Sequence, residues 1–174
     1  SRAYRALFAA RREDASAVQQ LFASLAPADR DVDEIAEAAA QAFAAAGRAD
    51  QAARIVERVL ETRLAVPLLS LYGRLDAVPA RERLRHADAW RRRYGDDPVL
   101  LRTLGRLCAA QGLWGKAEEF LLLSGGIAPA RDTHLLLAQL YEQLGRGDEA
   151  NQRYRMAALA GIDAAAMLPA ASTP

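Results

Sequence analysis

The chain is poor in the residues that usually carry chemistry: one cysteine, Cys108, and two histidines, His86 and His134, in 174 residues. A single cysteine excludes an internal disulfide and a four-cysteine zinc site. The two histidines show neither Glu-x-x-His nor His-x-x-x-His spacing, so no metal is expected. Aromatic residues amount to 6% while apolar residues reach 52%, because alanine supplies much of the total in runs such as AEAAAQAFAAA. That composition favours helices packed at short range over an aromatic core. An excess of one charge is missing too, with 23 Lys+Arg against 22 Asp+Glu, so there is no field to draw in nucleic acid. Lys116 is the only lysine, and the abundance of arginine reads as a compositional bias before it reads as a site. No run of eighteen apolar residues occurs, and SRAYRALFAARRED lacks the apolar core and cleavage pattern of a signal peptide. The chain as given is expected to be soluble. It begins without methionine inside an amphipathic pattern, as expected of a piece of a longer chain whose N-terminal part carries targeting or membrane information.

What is present is a repeat. Laying VLLRTLGRLCAAQGLWGKAEEFLLLS over THLLLAQLYEQLGRGDEANQRYRMAA pairs Leu104 with Leu137, Cys108 with Tyr141, Gly112 with Gly145, Ala117 with Ala150, Leu121 with Tyr154 and Ser124 with Ala157, all 33 residues apart. Each unit reads as helix, tight turn, helix, with apolar residues at helical spacing on both sides of the glycine. Asp97-Pro98 opens the first unit, since aspartate accepts from free helix N–H groups and proline loses nothing at the first helical position. Gly112 and Gly145 are placed to end first helices in the left-handed conformation. The segment DEIAEAAAQAFAAAGRADQAARIVERVLE repeats the scheme, with Phe43, Gly47 and Ala52 in the places of Cys108, Gly112 and Ala117. Gly47 and Gly112 lie 65 residues apart, close to two periods, so a degenerate unit with Pro67, Pro79 and Trp90 is expected between them. The N-terminal stretch predicts a helix pair joined near Asp14 and ended by Pro27.

The expected fold is all-α: a right-handed α-solenoid of antiparallel helix pairs, forming one domain over residues 1–174. Its parts are an N-terminal pair (1–27), a repeat (33–66), a degenerate repeat (67–96), two clear repeats (97–130 and 131–163) and a tail (164–174). Small residues in the first helix, glycine at the turn, alanine early in the second helix and proline at Pro98 and Pro129 make the pattern resemble the tetratricopeptide repeat. LLSLYGRL, then HADAW, then GDDPVLLRTLGRLCAAQGLWGKAEEFL and LAQLYEQLG, with LGRLC and LWGKA the most specific parts, resemble the C-terminal repeat domain of HemY-type proteins linked to protoheme IX biosynthesis. The resemblance implies a protein-interaction scaffold, late haem-synthesis enzymes as partners, and a missing N-terminal membrane anchor. It also implies a bacterial inner-membrane location with the repeat domain on the cytoplasmic side. An unrelated flavin-dependent oxidase shares the family's name, and its dinucleotide fingerprint is absent from this sequence.

Candidate sites follow from spacing. The Gly115-Lys116 pair suggests a phosphate loop, but Ala110 stands where the first glycine is required and Ala117 where a hydroxyl is required. Nucleophilic catalysis needs a nucleophile with a base and an orienting group, and no such constellation is visible, so no enzyme is expected. Arg102 and Arg106, four apart on the first helix of the clearest unit, together with Gln139 one period after Arg106, are the candidates for a partner groove. Two guanidinium groups there suit a carboxylate, such as a peptide terminus or a porphyrin propionate. Pairing with acidic neighbours is the alternative. RERLRHADAWRRR offers a basic patch at Arg91, Arg92 and Arg93, for anionic lipid or an acidic partner, against the plainer reading of a solvated helix face. Cys108 is expected as a small buried side chain between helices. No cofactor is expected; haem is the one ligand considered, with His86, His134 or Cys108 as the axial candidates. The rival functional readings are a porphyrin or haem carrier and a generic peptide-binding adaptor.

Overall fold

The structure, a computed structural model, describes residues 2–160. Helices form at α1 (Arg2–Arg11), α2 (Ala15–Ser24), α3 (Pro27–Arg30), α4 (Asp33–Ala45), α5 (Ala49–Leu60), α6 (Val66–Tyr72), α7 (Ala80–Tyr94), α8 (Pro98–Ala110), α9 (Trp114–Ile127), α10 (Arg131–Gln143) and α11 (Gly147–Leu159). Among the described residues there is no strand. No helix among them is long and apolar enough to cross a membrane. The tail expected over 164–174 lies outside the described residues.

Three turns are built alike. Gly47, Gly112 and Gly145 have φ of +74°, +68° and +71°, a conformation that costs glycine nothing and other residues appreciably. Each lets the following residue donate back to the last turn: Arg48 N to Phe43 O (2.8 Å), Leu113 N to Cys108 O (2.9 Å) and Arg146 N to Tyr141 O (2.8 Å). This closure satisfies orphan carbonyls at the end of one helix and launches the next within three residues. The pairs α4–α5, α8–α9 and α10–α11 therefore fold back tightly. Asp97 starts α8 as its sequence suggests, accepting from Val99 N (2.9 Å) and Leu100 N (3.0 Å), and Asp14 does the same for α2. Pro27 behaves differently from expectation: α2 has already ended at Ser24, and the proline opens the single turn α3.

Successive pairs stack so that α4, α6, α8 and α10 run in a row, each touching the next, with their partner helices behind them. One continuous core runs from Phe8 through Phe43, Leu69, Leu104 and Leu121 to Tyr141. Hydroxyl groups tie the stack together. Ser124 Oγ donates to Pro98 O (2.7 Å) and sits 3.4 Å from Thr133 Oγ1, while Thr103 Oγ1 donates to Leu69 O (3.2 Å). The degenerate unit departs from the others. Its first helix has only seven residues, and α6 and α7 stay apart at the backbone, joined through side chains. The Tyr72 and Trp90 rings meet at 5.0 Å. Arg83, 1% exposed, donates from Nη1 to Tyr72 O (2.8 Å) and from Nε to Val78 O (3.1 Å), holding both ends of the connecting loop. A cation at the C-terminus of α6 also opposes the negative end of its dipole.

Close approach within a pair requires a missing side chain. A Cβ placed on Gly105 would lie 2.6 Å from Leu121 Cγ and 3.2 Å from Ala117 O, whereas one on Gly115 would meet nothing within 4 Å. Gly105→Ala is therefore expected to lower stability, its overpacking cost of about 1–3 kcal/mol exceeding the gain in helix propensity. Gly115→Ala is expected to be neutral or to stabilise by up to about 1 kcal/mol. Urea unfolding of both variants checks the opposite signs.

Candidate functional site

The row of first helices opens into a groove where α6, α8 and α10 lie side by side. Its recess holds about 250 Å³ and is lined by Ser70, Gly73 and Arg74, by Arg102, Thr103 and Arg106, and by Asp132, Leu135, Leu136 and Gln139. The 33-residue period explains the lining: Leu135 and Gln139 repeat the places of Arg102 and Arg106, and Gly73 precedes Arg106 by one period. Gly73 lacks a side chain where one would stand 3.5 Å from Thr103 Cγ2 and 3.7 Å from Arg106 Cδ, which leaves the recess open beside Arg106. The three sequence-predicted groove residues, Arg102, Arg106 and Gln139, thus line one recess.

Their charges are unequally committed. Arg106 Nη2 donates to Asp76 Oδ2 at 3.3 Å, the acidic pairing foreseen as the alternative for this pair. Arg102 and Arg74 have no ion-pair partner among the described residues, and Asp132 is the one carboxylate lining the recess. Toward the N-terminus the inner surface changes character. A second recess, between α1 and α4, carries Arg5 and Arg12 with Glu37 and Gln41, and Gln41 is spent on Glu37 at 3.0 Å.

The basic run is divided among separate tasks. Arg91 Nε donates to Asp96 Oδ1 (2.7 Å), and its guanidinium carbon lies 5.0 Å from the centre of the Phe120 ring. Arg93 donates to the Glu61 carbonyl and lies over Tyr94. Arg92 is exposed and has no ion-pair partner among the described residues. Arg83, which the run makes look like another surface cation, is buried. Helical spacing held the signal for it: Arg83, Ala87 and Trp90 share one face of α7, and that face is the buried one. Asp76, the carboxylate shared by Arg83 and Arg106, had no signal in the sequence, since it sits in a loop and Arg106 lies 30 residues further along the chain.

His86, His134 and Cys108 lie on three different helices, and none lines the groove or the recesses beside it. His86 Nε2 stands 4.0 Å from Glu57 Oε1, an atom that also accepts from the Tyr72 hydroxyl. Burial, and then that hydrogen bond to Glu57, raises the Tyr72 pKa far above the usual phenol range. His134 is buried with Nδ1 lacking a hydrogen-bond partner among the described residues, and burial with the Arg153 charge lowers its pKa. Cys108 fills a core slot, and burial pushes its thiol up to about 11. No group of three or more His, Cys, Asp or Glu side chains placed to hold a metal occurs among the described residues.

Solved structures of MamA share this architecture. MamA of AMB-1 is 20% identical over 90% of this chain and 96% of that chain, with a TM-score of 0.56. A double mutant of MamA of RS-1, designated ArsTM, is 14% identical over 89% and 93%, with a TM-score of 0.58. MamA of MSR-1 is 17% identical over 89% and 92%, with a TM-score of 0.54. At these identities the likeness is one of fold: an all-helical, tetratricopeptide-like repeat solenoid. No protein-family model and no curated protein matches the chain.

Two titrations follow from the buried groups. A depressed histidine pKa means that the unfolded chain takes up the proton more readily than the fold does. The contribution of neutral His134 is thus fully present above about pH 6.5 and is lost as pH falls from there through the lowered native value. His134→Gln is expected to flatten this acid-side loss of stability, measured by urea midpoints at about pH 7.5 and about pH 5.5. Native Cys108 is expected to resist Ellman's reagent at about pH 8 and to react fully once the chain is unfolded in urea.

Proposed function

We propose that this chain is a non-catalytic interaction scaffold whose groove between α6, α8 and α10 holds an extended, acid-bearing segment of a partner protein. The observation that carries the reading is Arg102, a guanidinium group lining the recess without an ion-pair partner among the described residues, beside Arg106. An uncommitted guanidinium facing a groove is a ready bidentate donor for a carboxylate. Apart from the Arg74 guanidinium and the Asp132 carboxylate, the other lining groups are amide, hydroxyl and aliphatic, which position a chain and take no part in bond-making. The volume of about 250 Å³ falls below the roughly 300–1,000 Å³ of enclosed small-molecule sites, which favours a side chain or terminus inserted from a longer segment. Stacked helix pairs supply the length of surface that such a segment needs.

The partners proposed are late haem-synthesis enzymes, assembled or regulated at a bacterial inner membrane with the repeat domain on the cytoplasmic side. Support for this finer reading is the resemblance of the LGRLC and LWGKA segments to HemY-type proteins, and the membrane attachment through an N-terminal segment rests on the same resemblance. The test uses the chain as bait against detergent extracts of its native membrane, probing for late haem-synthesis enzymes by name, with Arg102→Glu/Arg106→Glu as the matched control. The wild-type chain is expected to retain at least one such enzyme, and the double variant to lose about tenfold or more of it. Equal retention by both chains overturns the groove. Retention of other proteins, with no haem-synthesis enzyme among them, overturns the haem association and leaves the groove. Haem titration separates the carrier reading, which requires a saturable Soret shift.

A further inference from the structure

Beside the groove lies a smaller recess of about 170 Å³ that shares Gly73, Arg106, Leu136 and Gln139 with it and has Arg83 and Asp76 in its wall. Among the described residues Arg83 is the charged residue the fold hides most completely, with its side chain 2% exposed. Two of its nitrogens are spent on the carbonyls of Tyr72 and Val78. The third, Nη2, stands 3.7 Å from Asp76 Oδ1, beyond hydrogen-bond reach. The other oxygen of the same carboxylate, Oδ2, holds Arg106 at 3.3 Å. One aspartate, itself 70% exposed, is thus stretched between two guanidinium groups that repel each other. A desolvated cation with half of a distant counter-ion is undercompensated, and a closer anion between the two arginines relieves both the burial and the repulsion.

We propose that Arg83 and Arg106 form a seat for a single carboxylate, which Asp76 occupies loosely until the acid of a bound segment displaces it. The seat rests on the groove reading above and supplies its ligand chemistry and its control. Arg102 offers the outer contact, and the Arg83–Arg106 pair the inner one, reached across the wall that the two recesses share. Asp76 lies in the loop between α6 and α7, so its side chain can swing to solvent while Arg83 keeps both ends of that loop in place. Ligand affinity is then set by a competition inside the protein, and Asp76 lowers it.

The experiment follows the arginine Nε–Hε resonances of ¹⁵N-labelled chain during titration with sodium acetate at constant ionic strength, with sodium phosphate as a second arm. Asp76→Asn keeps the shape of the side chain and removes the competing charge. In that variant acetate is expected to shift the Arg83 and Arg106 resonances saturably, with affinity about threefold to fivefold above that of the wild-type chain, the size of a partly exposed ion pair. Arg106→Gln, at a side chain that is not part of the core, is expected to abolish the response at Arg83. No saturable shift at Arg83 in Asp76→Asn, or equal acetate affinity in variant and wild type, overturns the seat. A response to phosphate without one to acetate overturns its assignment to a carboxylate. Partner binding that depends on Arg102 but leaves the Arg83 resonance unmoved overturns the seat and spares the groove, whereas acetate binding at Arg83 without any groove partner does the reverse.

Discussion

Two helices can bury their facing stripes only if their backbones come close, and in this chain a missing side chain at the contact makes that possible. Gly105 lies against Leu121 and the carbonyl of Ala117 with no space for a Cβ, and fully buried alanines stand at the equivalent places in the next unit. The left-handed glycine at the turn then aims the second helix back along the first. Neither device is effective alone, since a reversed chain without close approach leaves a cleft, and close approach without reversal has no partner to meet. Because the main contacts of each pair are with its neighbours, the row of first helices inherits its spacing from these local contacts, and so does the groove.

The unit that breaks the pattern shapes the candidate site. Where α6 is short and separated from α7, packing between the pair is replaced by the Tyr72–Trp90 contact and by a buried arginine that ties both ends of the loop. The short α6 ends at Gly73, which places no side chain against Thr103 and Arg106 on α8, where a Cβ would stand 3.5 Å and 3.7 Å from them. The same loop brings Asp76 to the arginines, so the groove's charge depends on an element that is not itself helical.

Burial or local pairing engages the other chemistry-bearing residues. Cys108, in the place where other units put Phe43 and Tyr141, is part of the core and has its thiol pKa raised accordingly. Arg91 and Arg93 spend their charge on Asp96, on a carbonyl and on aromatic faces. Clusters that look dense along a helix disperse in space, because neighbours in sequence point in directions about 100° apart.

The sequence by itself determined the helix pairs, their 33-residue period, the glycine turns and the placing of Arg102, Arg106 and Gln139 on one inner surface. Those features are local or periodic: caps, turns and helical spacing act over a few residues, and a repeat copies each position into the next unit. Even the burial of Arg83 was legible on these grounds, from the face it shares with Ala87 and Trp90. Tertiary structure alone decided which arginine keeps its charge free, that α6 and α7 part, and that Asp76 serves two arginines at once. The pairing depends on Asp76 meeting Arg106 thirty residues on, and the parting of α6 and α7 on how each packs against α8, which the period does not encode once a unit slips out of register.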